Sequence, residues 1–311
     1  MRAIKEFRGS TPEMTDEAAA AARARLMTAV HEPEVAEKPA ATRARRLGRR
    51  IVVAAALALA VGGAAVVFRD QPGLAPVAGV AELGERAARA AEDDPAPAPG
   101  PGQWLYTKEL QLAGVEADVD RDRRETWERW TSVDGKRSAW YQDGTLMFQG
   151  GALFDPAELA EPPVTPAGTI ARIEAAILDE DRRGPQELDG HVPPEILFRQ
   201  INQFVSDQWL APHVRAAIFR ALPAIKGIEV RPDVPVADGR RGVAFSLIDT
   251  GARVSLVLDP RTFRYLGTNA TRLRDWTYED TNGEKVTYRA GGVSMTAHLE
   301  AKIVNGPGQR S

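Results

Sequence analysis

"SMTAHLEAKIV", residues 294–304, decides the fold. Met295, Ala297, Leu299, Ala301 and Ile303 alternate with Ser294, Thr296, His298, Glu300 and Lys302. Successive side chains of a strand point to opposite faces, so the stretch reads as a strand with one packed face and one wet face. Half-wet strands of this kind belong to antiparallel sheets. Working outward, "IEVRPDV" (228–234), "GVAFSLID" (242–249), "RVSLVLD" (253–259) and "YLGTNATRL" (265–273) repeat the alternation. So does "QWLYTKELQL" (103–112), apolar at Trp104, Tyr106 and Leu110. "RRETWERWTS" (123–132) and "KRSAWYQDG" (136–144) flank Val133-Asp134-Gly135, a hairpin signal, and "GTLMFQGG" (144–151) continues the meander.

Helical periodicity separates the two strand groups. Thr165 caps one helix, with Pro166 at its first position and a stripe of Ile170, Ile173, Ala176 and Ile177. Pro193-Pro194 precedes a second, carrying Ile196, Ile201, Phe204 and Val205. Pro212 opens a third, with Val214, Ile218, Phe219 and Leu222. Strands, then helices, then strands predict an α+β domain over residues 103–311, with helices packed on one face of a curved antiparallel sheet.

The N-terminal third is different in kind. Residues 1–50 hold 11 Lys/Arg against 7 Asp/Glu, a net of +4, while residues 69–311 carry a net of −7. All six Trp and all five Tyr lie beyond residue 100, so the packed core is expected there. Ile51 to Phe68 is 18 residues without a charged side chain. As a helix it spans roughly 27 Å, near the thickness of the hydrocarbon core. Its apolar anchors are Ile51, Val52, Val53, Leu57, Leu59, Val61, Val66, Val67 and Phe68. Arg43, Arg45, Arg46, Arg49 and Arg50 precede it and only Arg69 follows. The positive-inside rule then predicts a single-pass plasma-membrane protein, with residues 1–50 cytoplasmic and the C-terminal domain outside. A cleaved signal is the first rival, but its basic region would be far longer than signal peptides allow. A buried core helix is the second, and its flanks, a basic tail and a Pro/Ala linker, give it nothing to pack in. Between anchor and domain, residues 69–102 hold a helix from about Ala78 to Glu92 and a semi-rigid "PAPAPGPG" linker (95–102).

The tail segment "DEAAAAARARLMTAV" (16–30) reads as one short helix capped by Thr15, with Arg23, Leu26, Met27 and Val30 as a candidate partner-binding surface. The Arg cluster at 43–50 fits topology and anionic lipid heads better than direct nucleic-acid binding. There is no Cys, which excludes disulfides, thiolate catalysis and Cys-based zinc sites. His31, His191, His213 and His298 form no spaced ligand pair, and no nucleophile elbow, P-loop or dinucleotide motif occurs. Asp118, Asp120 and Asp122 suggest a calcium loop, but Arg123 and Arg129 stand where the Gly and Glu of that loop belong. No cofactor or metal is expected, and the reading is non-enzymatic. Trp127, Trp130, Trp140 and Tyr141 read either as core or as the lining of an apolar groove.

Several stretches carry a resemblance: "DEAAAAARARL", the Arg-rich residues 43–50 with the anchor, "PGQWLYTKE" (101–109), "APHVRAAIFRALPAIKGIEV" (211–230), "GRRGVAFSL" (239–247) and "LDPRTFRYLGT" (258–268). In this order they resemble an uncharacterised family of membrane-anchored proteins of high-GC Gram-positive bacteria, often encoded beside extracytoplasmic-function sigma factors. The resemblance implies a sensor or regulator partnered with such a sigma factor through the cytoplasmic tail. The outer domain is more distantly similar to the LolA-like half-barrel of lipoprotein carriers. That likeness implies the alternative, a carrier or binder of lipid or lipoprotein acyl chains, which requires an apolar cavity of several hundred Å³.

Overall fold

The computed structural model describes residues 79–94, 98–112, 124–150, 155–181, 188–279 and 285–311. The predicted tail helix, the Arg cluster at 43–50, the anchor at 51–68 and the aspartates at 118–122 lie outside these residues. Among the described residues no helix is long and apolar enough to cross a membrane.

The fold class is α+β. Helix α1 (Val80–Glu92) precedes strands β1 (Trp104–Leu112), β2 (Arg124–Ser132), β3 (Arg137–Gln142) and β4 (Thr145–Gly150). The helical section is α2 (Pro156–Leu159), α3 (Pro166–Asp181), α4 (Pro194–Asp207) and α5 (Pro212–Ala221). Strands β5 (Glu229–Pro235), β6 (Arg241–Asp249), β7 (Ala252–Leu258) and β8 (Tyr265–Arg272) follow, then β9 (Trp276–Glu279), β10 (Lys285–Tyr288) and β11 (Val293–Val304). Among the described residues nine strands form one curved, unclosed antiparallel sheet in the order β4-β3-β2-β1-β11-β8-β7-β6-β5, and β9 and β10 form a separate hairpin. The two halves of the chain therefore meet at the β1–β11 pairing.

The helices stack on one face of this sheet. α1 buries Leu83, Ala87, Ala88 and Ala91, one stripe of a 3.6-residue period, and keeps Glu82, Glu85, Arg86, Arg89 and Glu92 away from it. Gly84 sits where α1 crosses α5: a Cβ there would stand 2.6 Å from the Phe219 carbonyl oxygen. Thr165 caps α3 as its sequence predicts, its hydroxyl accepting from the Gly168 N–H at 3.1 Å. Phe198, Ile201 and Phe204 of α4 and Val214, Ile218 and Phe219 of α5 close onto Val243, Phe245, Leu256 and Leu258 of the sheet. Phe219 and Phe245 stack with centroids 6.3 Å apart.

The opposite face of the sheet holds two smaller apolar clusters. One gathers Leu112, Ala244, Val257, Leu266 and Ala297 under Val234, Val236 and Ala237. The other gathers Trp104, Tyr106, Trp130, Ala139 and Val304. The C-terminal segment lies across this second cluster. Trp130 Nε1 donates to the Gln309 carbonyl at 2.5 Å, and the Arg310 guanidinium pairs with both Glu128 oxygens at 2.6 and 2.7 Å.

The strand 293–304 departs from simple alternation. Glu109 pairs with His298 but Lys108 pairs with Glu300, so Leu299 is the extra residue of a β-bulge. Before the bulge, Thr296 and His298 face the helices and Met295 and Ala297 face away. After it the parity inverts, and Ala301 and Ile303 share the helix side with Leu105 and Thr107. The expected division into five packed and five wet residues is thereby corrected: Leu299 is 44% exposed, and His298 turns inward.

Candidate ligand cleft

The bulge and the helices enclose a cavity of about 710 Å³. Its helical wall is Ala87, Ala90 and Ala91 of α1 with Arg215 and Phe219 of α5. Its sheet wall is Leu105 and Thr107 of β1 and residues 298–303 of β11. The end of α4 and the following turn add Val205, Ser206, Gln208, Trp209 and Leu210, and Asp94, Phe263, Arg264, Tyr265 and Ser311 complete it. The space exists because small faces small. α1 presents three alanines where β1 and β11 present Thr107 and Ala301, so the two layers stand apart without filling the gap.

Apolar surface predominates in the walls, but Asp94, Arg215, Arg264, Glu300 and Lys302 also line them, with Arg215 and Arg264 sharing Asp94, and a second polar group lies at Tyr265 and His298. Tyr265 and His298 meet with ring centroids 5.7 Å apart. Glu109 lies beside His298 across the β1–β11 pair, and the Thr296 and Ser206 hydroxyls stand beside the Tyr265 hydroxyl. Arg129 of β2 forms an ion pair with Asp207 at the end of α4. Burial, reinforced by the charge of Asp207, pushes the Glu109 carboxyl up to about 7, partly offset by Arg129. Burial likewise raises the Tyr265 hydroxyl well above its ordinary range, with Glu109 adding to the shift. The His298 imidazole is lowered by burial and then by Arg240, so it stays neutral. Glu109 Oε1, His298 Nδ1 and Gln208 Oε1 are closed to solvent without a hydrogen-bond partner, and the Tyr265 hydroxyl is closed to solvent beside the Thr296 and Ser206 hydroxyls. Perturbed titratable groups beside a cavity are a pattern that functional sites share with buried structural networks.

The four aromatics singled out from sequence do not form this lining. They divide between the sheet's two faces. Trp130 is fully buried beneath the C-terminal segment, where it meets Tyr141 edge-on at 5.6 Å and Tyr106 at 5.2 Å. Trp140 lies opposite Arg129, and Trp127 opposite Glu109, on the helix side, and Trp127 is 41% exposed. The reason is strand parity. Trp127 and Trp130 are three residues apart and Trp140 and Tyr141 are adjacent, so each pair must split. Sequence reasoning missed Glu109, Gln208 and Tyr265, and it left His298 on a wet face. A signal existed in "QWLYTKELQL", where adjacent Lys108 and Glu109 force one charge onto each face. His191 and His213 are exposed, and no group of three metal-ligating side chains occurs among the described residues.

A scan against protein-family models finds no match to this sequence, and a search of curated proteins finds no significant similarity.

Proposed function

We propose that the folded domain is a non-enzymatic binding module that takes an apolar or amphipathic small molecule in the cleft between α1, α5 and strands β1 and β11. The observation that carries this reading is the cavity of about 710 Å³, within the range of small-molecule sites, whose lining includes Ala87, Ala90, Ala91, Leu105, Phe219 and Ile303. A curved open sheet with helices on one face, and a cavity between the layers, supports the LolA-like likeness and the carrier or lipid-binder role it implies. The anchor at 51–68 and the arginines at 43–50 would hold this module outside the plasma membrane, close to lipid ligands. On the family resemblance, occupancy of the cleft is the signal that the tail around Arg23, Leu26, Met27 and Val30 passes to a sigma factor.

The test is photolabelling of the full chain in lipid vesicles with a diazirine-bearing decyl probe, mapped by peptide mass spectrometry. Label on peptides containing Ala87–Ala91 and Leu105–Thr107 is the expected result. Label confined to residues 51–68, with none on the cleft, would overturn the proposal.

A further inference from the structure

The cleft has a direction. Ala87, Ala90 and Ala91 of α1 line it, and so does Asp94, two residues past the helix end. At the helical rise that stripe is roughly 10 Å long, alanine at one end and a carboxylate at the other. α5 runs the opposite way beside it: the Phe219 carbonyl lies against Gly84, and Arg215, one turn earlier, reaches Asp94. The apolar end of the cleft is therefore Ala87 with Phe219, and its charged end is Asp94 with Arg215 and Arg264.

At the charged end two guanidiniums share one carboxylate. Arg215 Nη1 donates to Asp94 Oδ2 at 3.2 Å. Arg264 Nη2 stands 3.7 Å from Asp94 Oδ1, an ion pair too long for a hydrogen bond. Among the described residues neither guanidinium has a second carboxylate partner. Lys302 is matched by Glu300 at 2.6 Å, and Ser311, also at the lining, forms no ion pair with either arginine. One positive charge at this end is thus left over beside an apolar wall. A guanidinium presents a planar fork of N–H donors that fits carboxylate and phosphate oxygens. A neutral head would leave that charge unmatched, and a cationic head would be repelled by it.

We infer that the ligand of the cleft is an anionic amphiphile, its chain along Ala87–Ala91 and its carboxylate or phosphate head held by Arg215 and Arg264. The inference rests on the proposed function and adds to it the charge of the head and the end at which the head lies.

The experiment is competition against the decyl photoprobe on the full chain in neutral phosphatidylcholine vesicles. The competitors are decyl phosphate, decanoate, decanoylglycerol and decyltrimethylammonium, compared at equal vesicle-bound concentration. The better of the two anions is expected to compete at least about ten-fold more strongly than the neutral or the cationic analogue. Arg264→Gln should cut that advantage roughly three-fold or more, and Arg215→Gln with Arg264→Gln should abolish it, while the head-free probe still labels the cleft. The Arg264 side chain is 69% exposed, so Arg264→Gln and the charge reversal Arg264→Glu serve if the double variant does not fold. Inorganic phosphate is expected not to compete; competition as strong as that of decyl phosphate would assign the arginines to a free anion and overturn the inference. Equal competition by all heads, a lead by the neutral or cationic one, or an advantage that the Arg264 variants leave untouched would also overturn it, with the cavity reading still standing. Absence of cleft labelling by the probe itself would instead sink the proposed function beneath it.

Discussion

Strands β6–β8 and strands β1 and β11 belong to one sheet, yet the helices treat them differently. Over β6–β8 the helix-facing residues are large, among them Phe245, Leu256 and Leu258, and they meet Phe198, Phe204 and Phe219 without a gap. Over β1 and β11 the same helical layer faces Thr107, Ala301 and His298, and its own residues there are alanines. One region is a dry core and the other a cleft, though both have the same backbone architecture. Side-chain volume, and not topology, decides where this fold is solid and where it is hollow.

The sharpest way to break that contrast is to empty the solid half. Phe245→Ala removes a fully buried ring stacked on Phe219, and it is expected to cost about 3–5 kcal/mol in urea unfolding. All six Trp lie beyond residue 100, so tryptophan emission of the full chain reports on this region. A loss below about 1 kcal/mol would show that the half taken as solid is loosely packed.

The polar corner of the hollow half predicts a pH signature. The Glu109 carboxyl has its pKa raised from 4.5 to about 7 by burial and by Asp207, with Arg129 opposing and Tyr265 and His298 also facing it. Because the folded value is the higher one, the native state binds the extra proton. Stability is therefore fully retained below the unfolded value, falls as pH rises through about 7, and has lost roughly 3 kcal/mol above it. Glu109→Gln should flatten this dependence between about pH 4.5 and 7. An unchanged slope would place the titration elsewhere.

Deleting residues 306–311 removes the Trp130 and Arg310 contacts, and it is expected to cost about 1–3 kcal/mol by exposing the Trp104–Tyr106–Trp130 cluster. The cleft loses only Ser311 from its lining, so it should still take up probe. The smallest effect should come from Arg253→Ala, which breaks an exposed pair with Glu229 at 2.9 Å and should cost below about 1 kcal/mol.

Much of the fold was legible in the sequence, because period-two and period-3.6 patterns are direct consequences of side-chain direction. The helix at 80–92, the cap at Thr165, the proline-led helices and the strands around Val133-Asp134-Gly135 all sit where their patterns put them. The β9–β10 hairpin was not read. Its strands are four residues each, too short for alternation to register, and it holds together by stacking Trp276, Tyr278 and Tyr288. The cleft was less legible for a related reason. A bulge is a one-residue event that pattern cannot reveal, and here it turns His298 inward while pushing Leu299 out. Tyr265 and Gln208 meet His298 only through long-range pairing, which no local window contains.

Whether the hollow half is a binding site is decided by saturation labelling of a variant in which it is filled. Ala90 lines the cavity without being deeply buried, so Ala90→Trp should occupy the space at little cost to the core. The decyl photoprobe is expected to saturate the cleft of the wild-type chain in vesicles, and Ala90→Trp to abolish this labelling. Unsaturable labelling, or saturable labelling that Ala90→Trp leaves unchanged, would contradict the binding-site reading.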